Sequence, residues 1–150
     1  MRSINMIKNQ KSLTPKNFVW IDIQCEITPV PFKHISQAAP GESSAAIRER
    51  VIRAREIQEE RFKNVKGVHC NAQMSERMIH QYAEPDEAGI NLLRTAMEKL
   101  HLSARAYNRI LKVARTIADL DSSEKVLSSH LAEAISYRQL DRGDWAERGS

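Results

Sequence analysis

The stretch LSARAYNRILKVARTIADLD, residues 102–121, constrains the fold more than any other part of the chain. Its apolar residues Tyr107, Ile110, Leu111, Ala114, Ile117 and Ala118 recur at helical spacing, which lines them up on one face. At about 100° per residue, Arg105, Arg109 and Lys112 fall in a narrow arc on the opposite side. Ser103 stands where an N-cap belongs. The spacing predicts a packed helix over 103–120 that carries a short row of positive charge. By periodicity alone such a row reads as solvated surface. The sharper reading is a site that meets an anion.

The other periodic segments are helical too. Ser43 or Ser44 can cap a long helix running to Phe62, with Ile47, Val51, Ala54 and Ile57 on its inner side and Glu49–Arg53 and Glu59–Lys63 as i,i+4 pairs. Ser75 opens a short helix to Tyr82, stopped by Glu84-Pro85. Asp86 caps the next, to about Leu100, with Ile90, Leu93 and Met97 inward. Ser128 or Ser129 starts the last, to about Leu140. FKHISQ reads as a short helical turn. WIDIQCEI, Trp20 to Ile27, alternates apolar and polar residues as one half-buried strand does, and TPVP ends it. One strand is not stable alone. It either packs on the helices or pairs with strands outside this chain. The expected fold is mainly α: a bundle of about five helices with one short N-terminal strand.

Composition narrows the function. The 150 residues amount to one domain and a tail, and 41% hydrophobic content suffices for a modest core. The net charge of +4 permits phosphate contacts, but no run of like charges marks a dedicated nucleic-acid binder. Cys25 and Cys70 stand outside any CxxC and read as reduced thiols. No apolar run approaches the roughly 20 residues that span a bilayer, and no signal sequence is evident, so a cytoplasmic protein is expected. No G-x-x-x-x-G-K-[ST] or G-x-G-x-x-G occurs. The histidines lack metal spacing, His69-Cys70 included, and nothing marks a base for Cys70. The expectation is no metal site and no catalysis by this chain alone. Asn71 reads as a turn or cap residue. Arg48 and Arg55 share a helix face that reads as solvated surface, or more sharply as a contact to a neighbouring subunit.

IDIQCEITPVPF, PGESSAAIRERVIRAREIQEERF, NAQM, LSARAYNRILKVARTIADLDSSEKV and HLAEAISYRQLDR follow one another in an order and spacing that resemble the C-terminal part of the ComM/YifB family of magnesium-chelatase-like AAA+ ATPases. The resemblance covers residues 21–142. It implies a helical lid domain that works with a nucleotide-binding core, in a homo-hexameric ring tied to DNA processing and branch migration during competence. It implies ATP with Mg²⁺ as cofactor, bound only when that core is present. The residue matching the family's sensor-2 arginine is Arg105, which would reach the γ-phosphate. Arg109 is the second candidate.

The sequence also departs from the family. Walker A, Walker B and sensor-1 segments have no match here, and Val19 and Trp20 stand where an Asp-Arg pair with an arginine-finger role precedes the IDI strand. Residues 1–20 are expected to be a disordered leader outside the resemblance, 21–142 the lid of a longer ATPase, and 143–150 a tail. The competing reading is a free-standing helical module that binds DNA or protein through its basic faces. A steep salt dependence of DNA affinity would mark that module.

Overall fold

The computed structural model describes residues 22–23 and 41–138. Of the strand expected over 20–27 only Asp22 and Ile23 are described. That strand as a whole, the FKHISQ turn, the leader and everything past Arg138 lie outside the described residues. Among the described residues there are five α-helices: α1 Ser44–Phe62, α2 Glu76–Tyr82, α3 Glu87–Lys99, α4 Ala104–Leu120 and α5 Ser128–Ser136, with one 3-10 turn at Asn71–Gln73. The mainly helical architecture is as the periodicity predicted. None of these helices is long and apolar enough to cross a membrane.

The helix starts follow from side-chain caps. Ser43, Ser75, Asp86 and Ser103 each accept the backbone N–H three residues on, which satisfies one of the donors that a helix start leaves open. α5 differs. Its N-cap is Leu127, which has no side-chain oxygen, and the Leu127 N–H donates instead to Nδ1 of buried His130 at 3.0 Å. An accepting Nδ1 leaves the ring proton on Nε2, which faces Asp121 at 3.3 Å.

Two helix ends close in left-handed turns. After α3, His101 has φ 50° and Leu102 N–H reaches Met97 O at 3.1 Å. After α4, Ser122 has φ 55°, with Ser123 N–H on Ala118 O at 2.8 Å and Ser122 N–H on Asp119 O at 3.1 Å. Both carry the six-to-one bond of a Schellman closure, where glycine is the usual residue. Ser122→Gly is therefore expected to raise stability by up to about 1 kcal/mol, read as a shift in the urea midpoint.

α4 is the hub. It packs against α5, α1, α2 and the 3-10 turn, and α3 packs on α5. Ile110, Leu111, Ala114, Ile117 and Ala118 of its stripe are buried, and Tyr107 is half-buried. Leu131 and Ile135 join them from α5, with Tyr137 packed alongside, so these aromatic and aliphatic residues are core. The ring edge of Tyr82 meets Phe62 at 90° and 5.7 Å.

Two inner faces differ from expectation. In α1 the buried residues are Ala54, Gln58 and Phe62, while Ile47 and Val51 are 42% and 44% exposed. All five lie on one stripe, but among the described residues α1 is buried only along its C-terminal half. The expected Glu59–Lys63 pair gives way to Glu60–Lys63. In α3, Gly89, Leu93 and Ala96 face inward and Ile90 is 42% exposed. A Cβ at position 89 would lie 2.6 Å from Leu131 Cδ1 and 2.9 Å from the capping Asp86 Oδ1. Only glycine lets α3 approach α5 so closely. Gly89→Ala gains about 1 kcal/mol of helix propensity, but overpacking against a fully buried leucine costs about 1–3 kcal/mol. A net loss of up to about 2 kcal/mol in chemical unfolding is expected.

Candidate functional site

The basic row on α4 is not uniform. Lys112 is half-buried, and its Nζ donates to Ala72 O at 2.8 Å, fastening the 3-10 turn. The Arg109 guanidinium is 17% exposed and pairs with the Asp22 carboxylate at 3.2 Å. Arg105 is exposed in the first turn of α4, two residues after the Ser103 cap. The row that the sequence presents as one surface thus holds two half-buried residues, Arg109 and Lys112, and one exposed residue, Arg105, at the helix start. A helix start carries the positive end of the macrodipole, so the Arg105 end of α4 is the place on this row where an anion is electrostatically favoured.

The other end of α4 holds a polar cluster that sequence reasoning missed. Asp119, 1% exposed, is its centre. Arg61 from α1 donates to Asp119 Oδ2 at 2.8 Å and Oδ1 at 2.5 Å, a two-point clasp. Arg115, one turn before Asp119 and 2% exposed, donates through Nε to Oδ1 at 3.1 Å. Asn71 is buried. Its Nδ2 donates to Asp119 Oδ2 at 2.7 Å and Thr116 Oγ1 at 3.1 Å, and its Oδ1 accepts from Arg61 at 2.9 Å. Its backbone N–H donates to buried Gln58 at 3.1 Å. Asn71 is therefore a four-way connector, more than the turn residue its sequence context suggests.

Two guanidiniums share one carboxylate, so one positive charge is in excess. The remaining Arg115 donors go to Glu124 O at 2.8 Å and Ser123 O at 2.5 Å, in the turn that closes α4. Those carbonyls, at the negative end of the helix, take up the surplus. Burial pulls the Arg115 pKa below its ordinary value, Asp119 raises it, and the nearby Arg61 lowers it. An arginine stays charged through such opposing shifts. Arg61 and Arg115 also line an open cleft of about 410 Å³ with Ile57, Gln81, Tyr82 and Ser122–Glu124. No group of three or more His, Cys, Asp or Glu positioned to hold a metal occurs among the described residues.

The family model for magnesium chelatase, subunit ChlI C-terminal, matches residues 41–138, which include the α4 start, the buried cluster and all five helices. The chain belongs to this family. Over 122 residues, 81% of its length, it is 38% identical to Competence protein ComM of Haemophilus influenzae. Over the same length it is 41% identical to YifB of Salmonella typhimurium and 40% to YifB of Escherichia coli. In all three the match takes in 23% of the relative, so the chain spans about a quarter of the length of these curated proteins.

Within this ChlI C-terminal domain, Arg105 and Arg109 lie one turn apart but in different surroundings, the first exposed and the second half-buried against Asp22. Arg48 and Arg55 are exposed on α1. One local signal points to the Arg115–Asp119 half of the buried cluster. Arg115 and Asp119 stand four residues apart at the flank of the apolar stripe, where charges are rare unless paired with each other.

Proposed function

We propose that this domain is the helical lid of a ComM-like AAA+ ATPase and that Arg105 is its sensor-2 arginine. The observation that carries the reading is the exposed guanidinium in the first turn of α4, at a helix start that favours an anion, within a ChlI C-terminal domain. ATP with Mg²⁺ would be held by a core domain outside this chain. Transfer of its terminal phosphoryl group is the chemistry that the nucleotide supplies. Arg105 offers that phosphate two donors in a planar fork, a geometry that lysine cannot match. The buried Asp119 cluster holds α1, the 3-10 turn and α4 as one body, so the arginine is presented from a rigid base.

The parent assembly is read as a cytoplasmic homo-hexamer acting on DNA. The word "competence" in the name of the Haemophilus relative supports this DNA-processing role. The test is Arg105→Ala in a full-length protein carrying this domain behind its own core, with ATP turnover as the readout. Unchanged turnover at matched folding overturns the assignment.

A further inference from the structure

The domain match begins at residue 41, yet Asp22 and Ile23, well before it, sit against α4. Asp22 pairs with Arg109 at 3.2 Å. Ile23 lines an apolar groove of about 350 Å³ with Val113, Ile117 and Leu120 of α4 and Tyr137 beyond α5. Lys112 and Thr116 stand on the same groove, above the polar cluster. Half of Ile23 remains exposed, at 52%, so the seat is shallow and open on one side. Two consecutive residues thus meet α4 in different ways, one through charge and the next at an apolar groove. The pair falls on the same row as Arg105, one helical turn away.

We infer that Asp22 and Ile23 form a clip that fastens the chain preceding the helical domain to α4, with Arg109 as its positioning residue. An ion pair half open to water adds little stability by itself. Its value is directional. It fixes where residues 22 and 23 meet α4, next to the turn that carries Arg105. A displacement of residues 22 and 23 is then passed directly to the helix. The clip stands without the ATPase reading; its effect on turnover rests on that reading.

The experiment has two arms. The first uses this chain with Ile, Leu and Val methyl groups labelled for NMR. NOEs from Ile23 to Val113, Ile117 or Leu120 are expected. Arg109→Asp is expected to weaken them at least about threefold, and the swap Asp22→Arg/Arg109→Asp to restore most of that loss, as a pairwise cycle requires. Absent NOEs, or a swap no better than the single variant, overturns the clip. The second arm is the full-length protein. Arg109→Ala is expected to lower kcat about tenfold with KM for ATP within about twofold, and the swap to recover part of it. A rise in KM with kcat intact would make Arg109 a nucleotide contact and overturn its positioning role. If the NOE cycle holds while Arg105→Ala leaves turnover normal, the ATPase reading falls and the clip stands.

Discussion

Asp119→Ala is expected to cost the domain about 3–5 kcal/mol, the penalty for breaking a buried ion pair from one side. The substitution removes the carboxylate that, among the described residues, contacts both Arg61 and Arg115, and leaves two like charges together. Among the described residues, Asn71 Nδ2 keeps Thr116 as its side-chain acceptor. A domain of this size has about 5–15 kcal/mol in total, so the variant sits near the edge of folding at room temperature. Arg61→Ala is expected to cost less. The Arg61 side chain is 13% exposed, and its loss leaves Asp119 still bonded to Arg115 and Asn71. Urea unfolding followed by far-UV circular dichroism separates the two. A loss below about 1 kcal/mol for Asp119→Ala would show that water or another cation replaces the carboxylate, and that the cluster is not what holds α1 in place.

Arg105→Ala in a full-length protein is expected to lower ATP turnover by about three orders of magnitude, the lower end of the scale for arginines that meet transferring phosphates in other NTPases. The helix should survive, because alanine is the better helix former and position 105 lies off the apolar stripe. Matched melting temperatures are the control. Arg109→Ala should cost about tenfold, through the clip. If Arg105→Ala keeps near-normal turnover while Arg109→Ala abolishes it, the phosphate contact belongs to Arg109. If neither changes turnover, Arg105 is solvated surface and the Arg109 tie has no bearing on catalysis.

Helix starts were legible residue by residue. Ser43, Ser75, Asp86 and Ser103 are caps both by position in the sequence and by hydrogen bond. The core stripe of α4 was legible because its helix packs along its whole length. The inner face of α1 was half legible. Periodicity reports which residues share a side, and it cannot report how far along that side a neighbour extends, so Ile47 and Val51 were expected inside and lie outside. Ile90 was misplaced for a related reason. Gly89 gives no hydrophobic signal, yet its missing side chain is what sets the rotation of α3 against Leu131. The polar cluster was least legible. Asn71 and Asp119 are 48 residues apart, and Arg61 and Asp119 are 58, and no local pattern couples residues at that range. The role of Arg105 is legible only through the family resemblance, because an arginine in the first turn of a helix has no local pattern that distinguishes a ligand contact from surface.

The clasp between Arg61 and Asp119 has a kinetic side. It closes a loop of 58 residues, whereas α4 and α5 meet across residues 121–127 only. Closing long loops is slower and entropically costlier than closing short ones. The chain is therefore expected to assemble α2 to α5 early and to dock α1 last. That docking step is also when Arg61 leaves water, which adds a desolvation barrier to the loop cost. On the way out the order reverses: α1 peels first, and Asp119, Arg115 and Asn71 become wet while Ile110, Leu111 and Leu131 are still dry. Partial opening of this domain should begin at its ions and reach its hydrocarbon last.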